Sequence, residues 1–139
     1  MDLTQARDIV GGLTLTSKMP EASYSLSAHD CVTGSKLAQV PNSVCSRCYA
    51  LKGNYVRYPA IRRAQARRKL ALETDDRWTR AMAVATSRVR HFRWLDSGDV
   101  QSMSHLIKIV AVACLNPKVS YWLPTKEIGL VRAYRRAGG

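Results

Sequence analysis

Hydrophobic and polar positions follow a regular pattern only in the second half of the chain. Apolar residues recur there at helical spacing in four runs, which predict helices over 59–73, 78–89, 100–116 and 128–137. Two short runs rich in aromatic and β-branched residues, at 91–96 and 119–123, predict strands. Because the 100–116 helix is long enough for a crossover, we expect a βαβα unit over 91–137 with two parallel strands.

The first half of the chain has little periodicity. Residues 2–11 have weak helical character, and alternating runs at 13–15 and 23–27 predict short strands. Residues 28–54 are predicted to be a loop, which in a compact domain needs a stabilising feature such as a bound metal. A chain of 139 residues is one domain by length. We therefore predict a single α/β domain over 1–139, with parallel strands in an open sheet or a small partial (β/α) barrel, helices packed on it, and a metal- or cluster-binding loop.

Cysteines are the strongest indication of chemistry in that loop. Cys31, Cys45 and Cys48 lie in it, and the last two have the C-x-x-C spacing that brings two thiolates within reach of one metal ion or cluster. The first residues lack the basic and then apolar run of a signal peptide, so we expect an intracellular protein. Disulfides are rare in that compartment, and grouped cysteines there bind metals or act in catalysis. A redox pair and buried structural thiols are the alternatives.

The number of thiolates points to the cofactor. Soft thiolates suit iron–sulfur clusters and zinc alike. Three thiolates without an evident fourth favour a [4Fe–4S] cluster with one open iron, and a structural zinc ion is the alternative. His29 is a candidate fourth ligand. Cys114 is in phase with Ile107 and Val110 on an apolar helix face, so we predict that it is a core residue and not a ligand.

The carboxyl ends of the predicted strands form a second candidate site, since ligands of parallel α/β proteins bind beyond that edge. If residues 24–27 add a parallel strand, the same edge receives His29, Asp30 and Cys31. A small amino-acid-like or nucleoside-like ligand of the open iron, S-adenosylmethionine being one candidate, is predicted to bind Asp96, Ser97, Asp99, Thr125 and Lys126. The alternative is that Asp99 or Ser97 caps the next helix.

The charge of the chain favours an anionic partner. Lysine and arginine number 22 against 10 aspartate and glutamate, a net charge of +12, and such a field attracts nucleic acid and other polyanions. The densest block of cations consists of Arg57, Arg62, Arg63, Arg67, Arg68 and Lys69. The alternative function is therefore a nucleic-acid-binding protein with a structural zinc or cluster site. A solvated helix surface would also explain the block.

Aromatic residues near the cysteines allow two interpretations. Tyr49, Tyr55 and Tyr58 interleave with Lys52 and Arg57, a mixture that stacks on nucleic-acid bases. Packing of the rings around the cysteine loop explains the pattern equally well. On the predicted strands, Trp94 and Trp122 are both expected in the core.

The sequence lacks the motifs of several function classes. The longest apolar stretch, residues 109–115, is far too short to span a bilayer, so we expect no membrane span and a cytoplasmic protein. No P-loop, G-x-G-x-x-G, nucleophile elbow or zinc-protease pattern is present. Whether the site catalyses a reaction stays open, as does the oligomeric state.

Three separated motifs resemble one known family. They are residues 43–55 around the C-x-x-C pair, Phe-Arg-Trp-Leu-Asp-Ser-Gly-Asp at 92–99 and Tyr-Trp-Leu-Pro-Thr-Lys-Glu at 121–127. In this order they are similar to a bacteriophage-encoded family labelled gene product 88, with a match from about Lys18 to Gly139. The resemblance implies a phage protein in the cytoplasm of the infected bacterial host and brings no established activity.

A more distant resemblance is to radical S-adenosylmethionine enzymes. Those hold a [4Fe–4S] cluster with three cysteines after the first strand of a partial (β/α) barrel and leave one iron free for the cofactor. Their usual C-x3-C-x2-C pattern is here Cys31-x13-Cys45-x2-Cys48, and no clear Gly-Gly-Glu segment follows. The resemblance concerns architecture alone and implies a cluster loop placed after a parallel strand.

Overall fold

A sheet of three parallel strands forms the centre of the fold. In the computed structural model, which describes residues 1–17 and 19–139, the strands are β1 (Ser23–Tyr24), β2 (His91–Trp94) and β3 (Ser120–Trp122). They lie in the order β1-β2-β3. The mixed α/β class and the parallel strands are confirmed, including the pairing of β1 with β2. The described strands form an open sheet, and no closure into a barrel is seen among them.

Helices pack around this sheet. In the described ranges they are α1 (Leu3–Ile9), α2 (Val32–Leu37), α3 (Asn54–Arg57), α4 (Pro59–Thr74), α5 (Trp78–Thr86), α6 (Met103–Leu115) and α7 (Ile128–Arg136). Helices α4 to α7 confirm the four helices predicted for the second half, and α6 is the crossover between β2 and β3. Within the described part of the chain, no helix has the length and apolar character needed to cross a membrane.

Local sequence explains where several helices begin and end. Pro59 stands in the first turn of α4, where its missing N–H needs no partner. The hydroxyl of Ser102 caps α6 by accepting a hydrogen bond from the His105 N–H at 3.1 Å. Gly11 follows α1 with a φ of +79°, and a Cβ there would lie 3.0 Å from the Arg68 backbone. Glycine therefore allows the end of α1 to touch α4.

The segment 28–54 is more structured than the sequence predicts. It forms 3₁₀ turns at Ala28–Asp30, Cys45–Arg47 and Tyr49–Leu51, with α2 between the first two. The prediction of a continuous loop is therefore wrong for α2. A helix of six residues offers too few positions for its period to show in the sequence.

Aromatic side chains form the centre of the core. Tyr24, Trp78 and Trp94 are fully buried, and their ring centroids lie 5.8, 6.2 and 6.1 Å apart. The prediction that Trp94 is a core residue is confirmed. The same prediction is wrong for Trp122, which is 57% exposed, because it pairs with Arg93 on the sheet face opposite to the one on which Phe92 and Tyr121 meet the core. Its ring lies 4.9 Å from the guanidinium of Arg93.

Helix α6 turns a different face to the core than expected. Its buried residues are His105, Leu106, Ile109 and Val112. Cys114 is exposed, and so is half of Ile107, so the prediction that Cys114 is a core residue is wrong. Because α6 is apolar on nearly every side, the sequence period does not define which face lies inward.

Candidate functional site

The three cysteines of segment 28–54 lie around one small cavity, which we call the cysteine cavity. Cys31 ends the 3₁₀ turn after β1, and Cys45 and Cys48 bracket the next turn. The cavity has a volume of about 180 Å³, and its lining also includes His29 and Gly34. All three cysteines are free thiols. The fold therefore groups the three predicted ligands at one place, with the candidate fourth ligand beside them.

Gly34 leaves space for the thiols. A Cβ at this position would lie 3.6 Å from Cys31 Sγ and 3.7 Å from Cys45 Sγ. Both sulfur atoms therefore adjoin the same buried glycine, and a side chain there would intrude on the space beside them. Glycine in a helix is less favourable than alanine by about 0.5–1 kcal/mol, so the need for space explains why α2 carries it.

Cys31 lies at the carboxyl edge of the sheet, near acidic residues that follow β2 and β3. Burial, together with the nearby Asp99, Cys48, Cys45 and Glu127, raises the pKa of the Cys31 thiol to about 12. Asp99 follows β2 and Glu127 follows β3, so the carboxyl ends of all three strands meet near this thiol. A cation bound among these groups would offset their repulsion, and its binding would release the thiol protons.

Asp99 and Glu127 connect the loops at this edge. Asp99 accepts hydrogen bonds from Thr125 Oγ1 at 2.5 Å and from the Lys126 N–H at 2.8 Å. Glu127 accepts hydrogen bonds from the N–H and the hydroxyl of Thr33, both at 2.8 Å. Asp99, Thr125 and Lys126, three of the predicted ligand-binding residues, are thus brought together by contacts within the protein.

Asp96 and Ser97 are buried just after β2 and have other partners. Asp96 accepts hydrogen bonds from Ser23 Oγ at 3.0 Å and Tyr55 Oη at 2.9 Å. Burial raises the pKa of its carboxyl group, although these hydrogen bonds act in the opposite direction. The hydroxyl of Ser97 lies 3.5 Å from Gln65 Nε2. Helix α6 is capped by Ser102, so the alternative that Asp99 or Ser97 is the cap is wrong.

A larger, open cleft of about 1210 Å³ lies beside Asp96, and we call it the basic cleft. Its cationic and aromatic lining consists of Arg47, Lys52, Arg68, Arg93, Tyr49 and Tyr55. The two tyrosine rings meet edge to face, with their centroids 5.8 Å apart. Sequence reasoning missed Arg47 and Arg93 as site residues. The signal available for Arg47 was its position inside the C-x-x-C pair.

The short stretch 45–49 lines both cavities. Cys45 and Cys48 line the cysteine cavity, whereas Arg47 and Tyr49 line the basic cleft. The Tyr49 hydroxyl donates a hydrogen bond to the backbone carbonyl of Asp96, which fixes this stretch to the end of β2. A group bound to the cysteines would therefore also restrain two residues of the cleft.

The predicted basic block divides into an exposed and a buried part. Exposed on α3 and α4 are Arg57, Arg62, Arg63 and Arg67. Arg68 is buried, where it donates hydrogen bonds to two backbone carbonyls. Lys69 lies 3.8 Å from Asp30 and 3.6 Å from Glu73. Four of the six predicted cations thus remain on the outer surface.

Among the described residues, no group of three or more histidine, cysteine, aspartate or glutamate side chains is arranged to hold a metal ion. The three cysteines are thus grouped only in the sense that they line the same cavity, and His29, which also lines it, is exposed.

These features define a small α/β protein with three free cysteines grouped near the carboxyl edge of a parallel sheet. The chain belongs to the Gene product 88 family of bacteriophage proteins, whose model matches residues 3–138. This match confirms the family resemblance of the three sequence motifs. Comparison with curated proteins and with solved structures gave no match. The comparisons give no support to a relation with radical S-adenosylmethionine enzymes.

Proposed function

We propose that this phage protein binds an iron–sulfur cluster, of the [4Fe–4S] type, through Cys31, Cys45 and Cys48. The observation that carries the proposal is that three free cysteines, separated along the chain, line a single cavity. Thiolates are the usual ligands of iron–sulfur clusters. The buried apolar residues of the segment that carries them are the small Ala28 and Ala50, so a bound group would add stability that apolar packing there does not supply.

The size and lining of the cavity support a group larger than one ion. A volume of about 180 Å³ is several times the roughly 30 Å³ that a water molecule takes up in the liquid. Gly34 keeps the space beside two of the thiols free of a side chain. Zinc stays the alternative cofactor, since it takes the same ligands at about 2.3 Å.

The surrounding residues would hold the cluster and its loops. The three cysteines supply three ligands, and either His29 or a small external molecule takes the fourth position. Asp99 restrains the loop after β3, and Glu127 restrains the first turn of α2, through their hydrogen bonds. Once bound, a cluster supplies electron transfer or, at an open iron, a Lewis acid.

Anaerobic purification followed by iron, sulfide and zinc analysis tests the proposal. We expect iron and acid-labile sulfide in similar amounts, together with a visible chromophore. Stoichiometric zinc without sulfide would contradict the cluster and support a structural zinc site.

Cysteine variants identify the ligands. Cys31→Ser, Cys45→Ser and Cys48→Ser should each abolish or strongly reduce the chromophore, because each removes a thiolate ligand. Cys114→Ser is the matched control, since Cys114 is a free thiol exposed on α6. If Cys114→Ser also lost the chromophore, the assignment of the ligands to segment 28–54 would be wrong.

The open iron is tested by electron paramagnetic resonance of the reduced cluster. A spectrum that changes on addition of S-adenosylmethionine would support an external fourth ligand near Asp99, Thr125 and Lys126. A spectrum that is unchanged by S-adenosylmethionine but altered in His29→Ala would identify His29 as the fourth ligand and would remove S-adenosylmethionine from the proposal.

A second candidate function is nucleic-acid binding by the outer surface of α3 and α4. It is favoured by the four exposed arginines at 57, 62, 63 and 67, whose charges add to a net charge of +12. The ion pairs seen in the described chain involve Lys69, Arg77 and His91 instead. The four guanidinium groups therefore remain available to phosphates.

Binding to DNA or RNA that weakens steeply with salt would support this second function, because phosphate contacts release counterions. Replacing the four arginines by glutamine should reduce the slope of log K against log salt by roughly 0.7–0.9 for each phosphate that the variant no longer neutralises. Absence of binding at low salt would contradict it. Unchanged binding by Cys45→Ser would show that the two functions are separate.

A further inference from the structure

We propose that the basic cleft binds a nucleoside phosphate, with its phosphate on Arg47, Lys52 and Arg93 and its base beside Tyr49. The cleft is distinct from the cysteine cavity, and the residues that carry the inference are not cysteines. The inference therefore does not depend on the presence of a cluster.

Cations from separate parts of the fold line this cleft. Arg47 comes from the 3₁₀ turn between two cysteines, Lys52 follows the next turn, and Arg93 lies on β2. The ion pairs seen in the described chain involve none of these three. Asp96 is the acidic residue of the cleft lining, and both of its oxygens already accept hydrogen bonds. The cleft is therefore positively charged and suited to a phosphate.

Two polar atoms of the cleft residues lack a partner. Thr14 Oγ1 and Arg93 Nε are buried atoms without a hydrogen-bond partner among the described residues, and both side chains line the cleft. Buried polar groups in proteins are almost always hydrogen-bonded. The guanidinium of Arg93 therefore keeps donor capacity that its contacts with the Tyr49 hydroxyl and the Trp122 ring leave unused.

Aromatic and apolar residues line the cleft together with the cations. Tyr49 is 57% exposed and is held by its hydroxyl contact to Asp96 and by the edge of Tyr55. Ile61 and Ala64 of α4 add an apolar wall. A fixed, exposed ring beside cations is the arrangement that binds a base next to its phosphate.

The lining of the cleft, and not its open volume, selects among anions. Inorganic phosphate would reach the cations but would not contact the tyrosine and isoleucine surface. A nucleoside phosphate uses the cations, the ring and the apolar wall together, as ligands of mixed polar and apolar sites do.

Isothermal titration calorimetry of the whole protein with ADP tests the proposal. We expect a Kd below about 1 mM at physiological salt, and at least about tenfold weaker binding of inorganic phosphate and of adenosine, because each keeps only part of the contacts. No binding of ADP up to about 5 mM would overturn the proposal. Equal affinity for phosphate and ADP would also overturn it, since the ring would then contribute nothing.

Variants locate the site. Arg47→Gln and Arg93→Gln should each weaken ADP binding by about tenfold or more. Tyr49→Leu, which removes the ring that contacts the base, should weaken ADP binding more than Tyr49→Phe, which keeps the ring and loses only the hydroxyl contact that holds it. The matched control is Arg62→Gln, which removes the same charge from the outer surface of α4. If that control weakens binding as much as Arg47→Gln, diffuse charge explains the affinity and the proposal is wrong. Arg47 is exposed, so its variant keeps the fold.

The nucleotide could be free or part of a strand, and competition separates these sources. A short single-stranded oligonucleotide that displaces ADP, with loss of displacement in Arg47→Gln, would identify a nucleotide within a strand. ADP binding that the oligonucleotide does not displace would identify a free nucleotide. Both outcomes support recognition of a nucleoside phosphate in the cleft.

Discussion

The aromatic core and the cysteine segment 28–54 lie side by side but are held together by different means. In the core, Tyr24, Trp78 and Trp94 are fully buried and touch one another through their rings. In the segment, the buried apolar residues are the small Ala28 and Ala50. Among its larger apolar side chains, Val40, Val44 and Tyr49 are at least half exposed, and Leu37 and Leu51 are only partly buried. The core has its own source of stability, and the segment has little.

This difference implies that the residues that stabilise the fold are not the residues that form the candidate site. Burial of apolar area is the main favourable term in folding, so the core and its parallel sheet should form without any ligand. The segment consists of single turns and a six-residue helix, which are marginal without further contacts. A cluster bound to three cysteines would connect those turns. We therefore expect changes in the core to affect the whole fold and changes in the segment to affect the site.

The largest effect is expected from the core tryptophan. Trp94→Ala should lower the free energy of unfolding by about 3–5 kcal/mol, because Trp94 is fully buried among four aromatic rings. Urea denaturation followed by circular dichroism measures the change. The matched control is Trp122→Ala, which removes a ring that is 57% exposed and should cost about 1 kcal/mol or less. Equal losses would contradict the division between core and edge.

The next effect is a pH dependence that comes from His105. Burial, with a smaller contribution from Lys108, lowers the pKa of His105 to about 4, whereas an unfolded histidine titrates near about 6.5. The unfolded state therefore binds a proton first as the pH falls. The stability is complete above about pH 6.5, falls between there and about pH 4, and loses roughly 3 kcal/mol in total.

Urea midpoints measured across that pH range check this prediction. His105→Asn should remove most of the slope, because an asparagine side chain does not titrate. Its side-chain oxygen can still accept a hydrogen bond from the Gln101 N–H, as His105 Nδ1 does at 3.1 Å, so the fold should be kept. His91→Asn is the control, because His91 is exposed. A wild-type stability that stays constant from neutral pH down to about pH 4.5 would show that His105 does not stay neutral in the folded state.

The same contrast explains how much of the structure the sequence predicts. Helices with strong local signals are predicted correctly, as at Pro59 and before Asn116-Pro117, because the deciding chemistry lies next to the helix itself. The predicted phase of α6 is wrong, since a helix that is apolar all round does not indicate which side faces the sheet. The core prediction for Trp122 is wrong because the sequence of so short a strand does not indicate which of its two faces packs on the core.

Prediction of the candidate site divides in the same way. The grouping of Cys31 with Cys45 and Cys48 is predictable, because C-x-x-C spacing and the carboxyl end of β1 are both visible in the sequence. The basic cleft is not, because Arg47, Arg93 and Thr14 are distant in sequence and meet only through the sheet. Which residues line such a site depends on the tertiary structure, and local sequence patterns do not indicate it.

A smaller effect on the whole fold is expected from loss of the proposed cluster. Chelation or Cys45→Ser should lower the free energy of unfolding by only about 1–2 kcal/mol, because the core does not depend on the segment. Local opening should increase strongly, so trypsin should cut faster at Lys36, Arg47 and Lys52 while cleavage at Arg135 stays unchanged. Mass spectrometry of the early fragments measures this. Complete unfolding on metal removal would contradict an independent core.

The smallest change in stability, with a clear change at the site, is expected for Gly34→Ala. The new Cβ would lie 3.0 Å from Cys31 Cβ and 3.6 Å from its sulfur, so it would intrude on the space that the proposed cluster needs. Alanine favours a helix over glycine by about 0.5–1 kcal/mol, which offsets the crowding in the metal-free protein. We expect the metal-free stability to stay within about 1 kcal/mol while the bound iron and sulfide decrease.

Gly129→Ala on α7 is the control for this prediction, since a Cβ there meets no atom within 4 Å. It should add the same helix preference of about 0.5–1 kcal/mol and leave the iron and sulfide content unchanged. Full cluster content in Gly34→Ala would show that the space beside Cys31 and Cys45 is not used by a cofactor. Both variants replace a helical glycine by alanine. A difference between them in iron and sulfide content therefore comes from the space beside the cysteines and not from the change in helix preference.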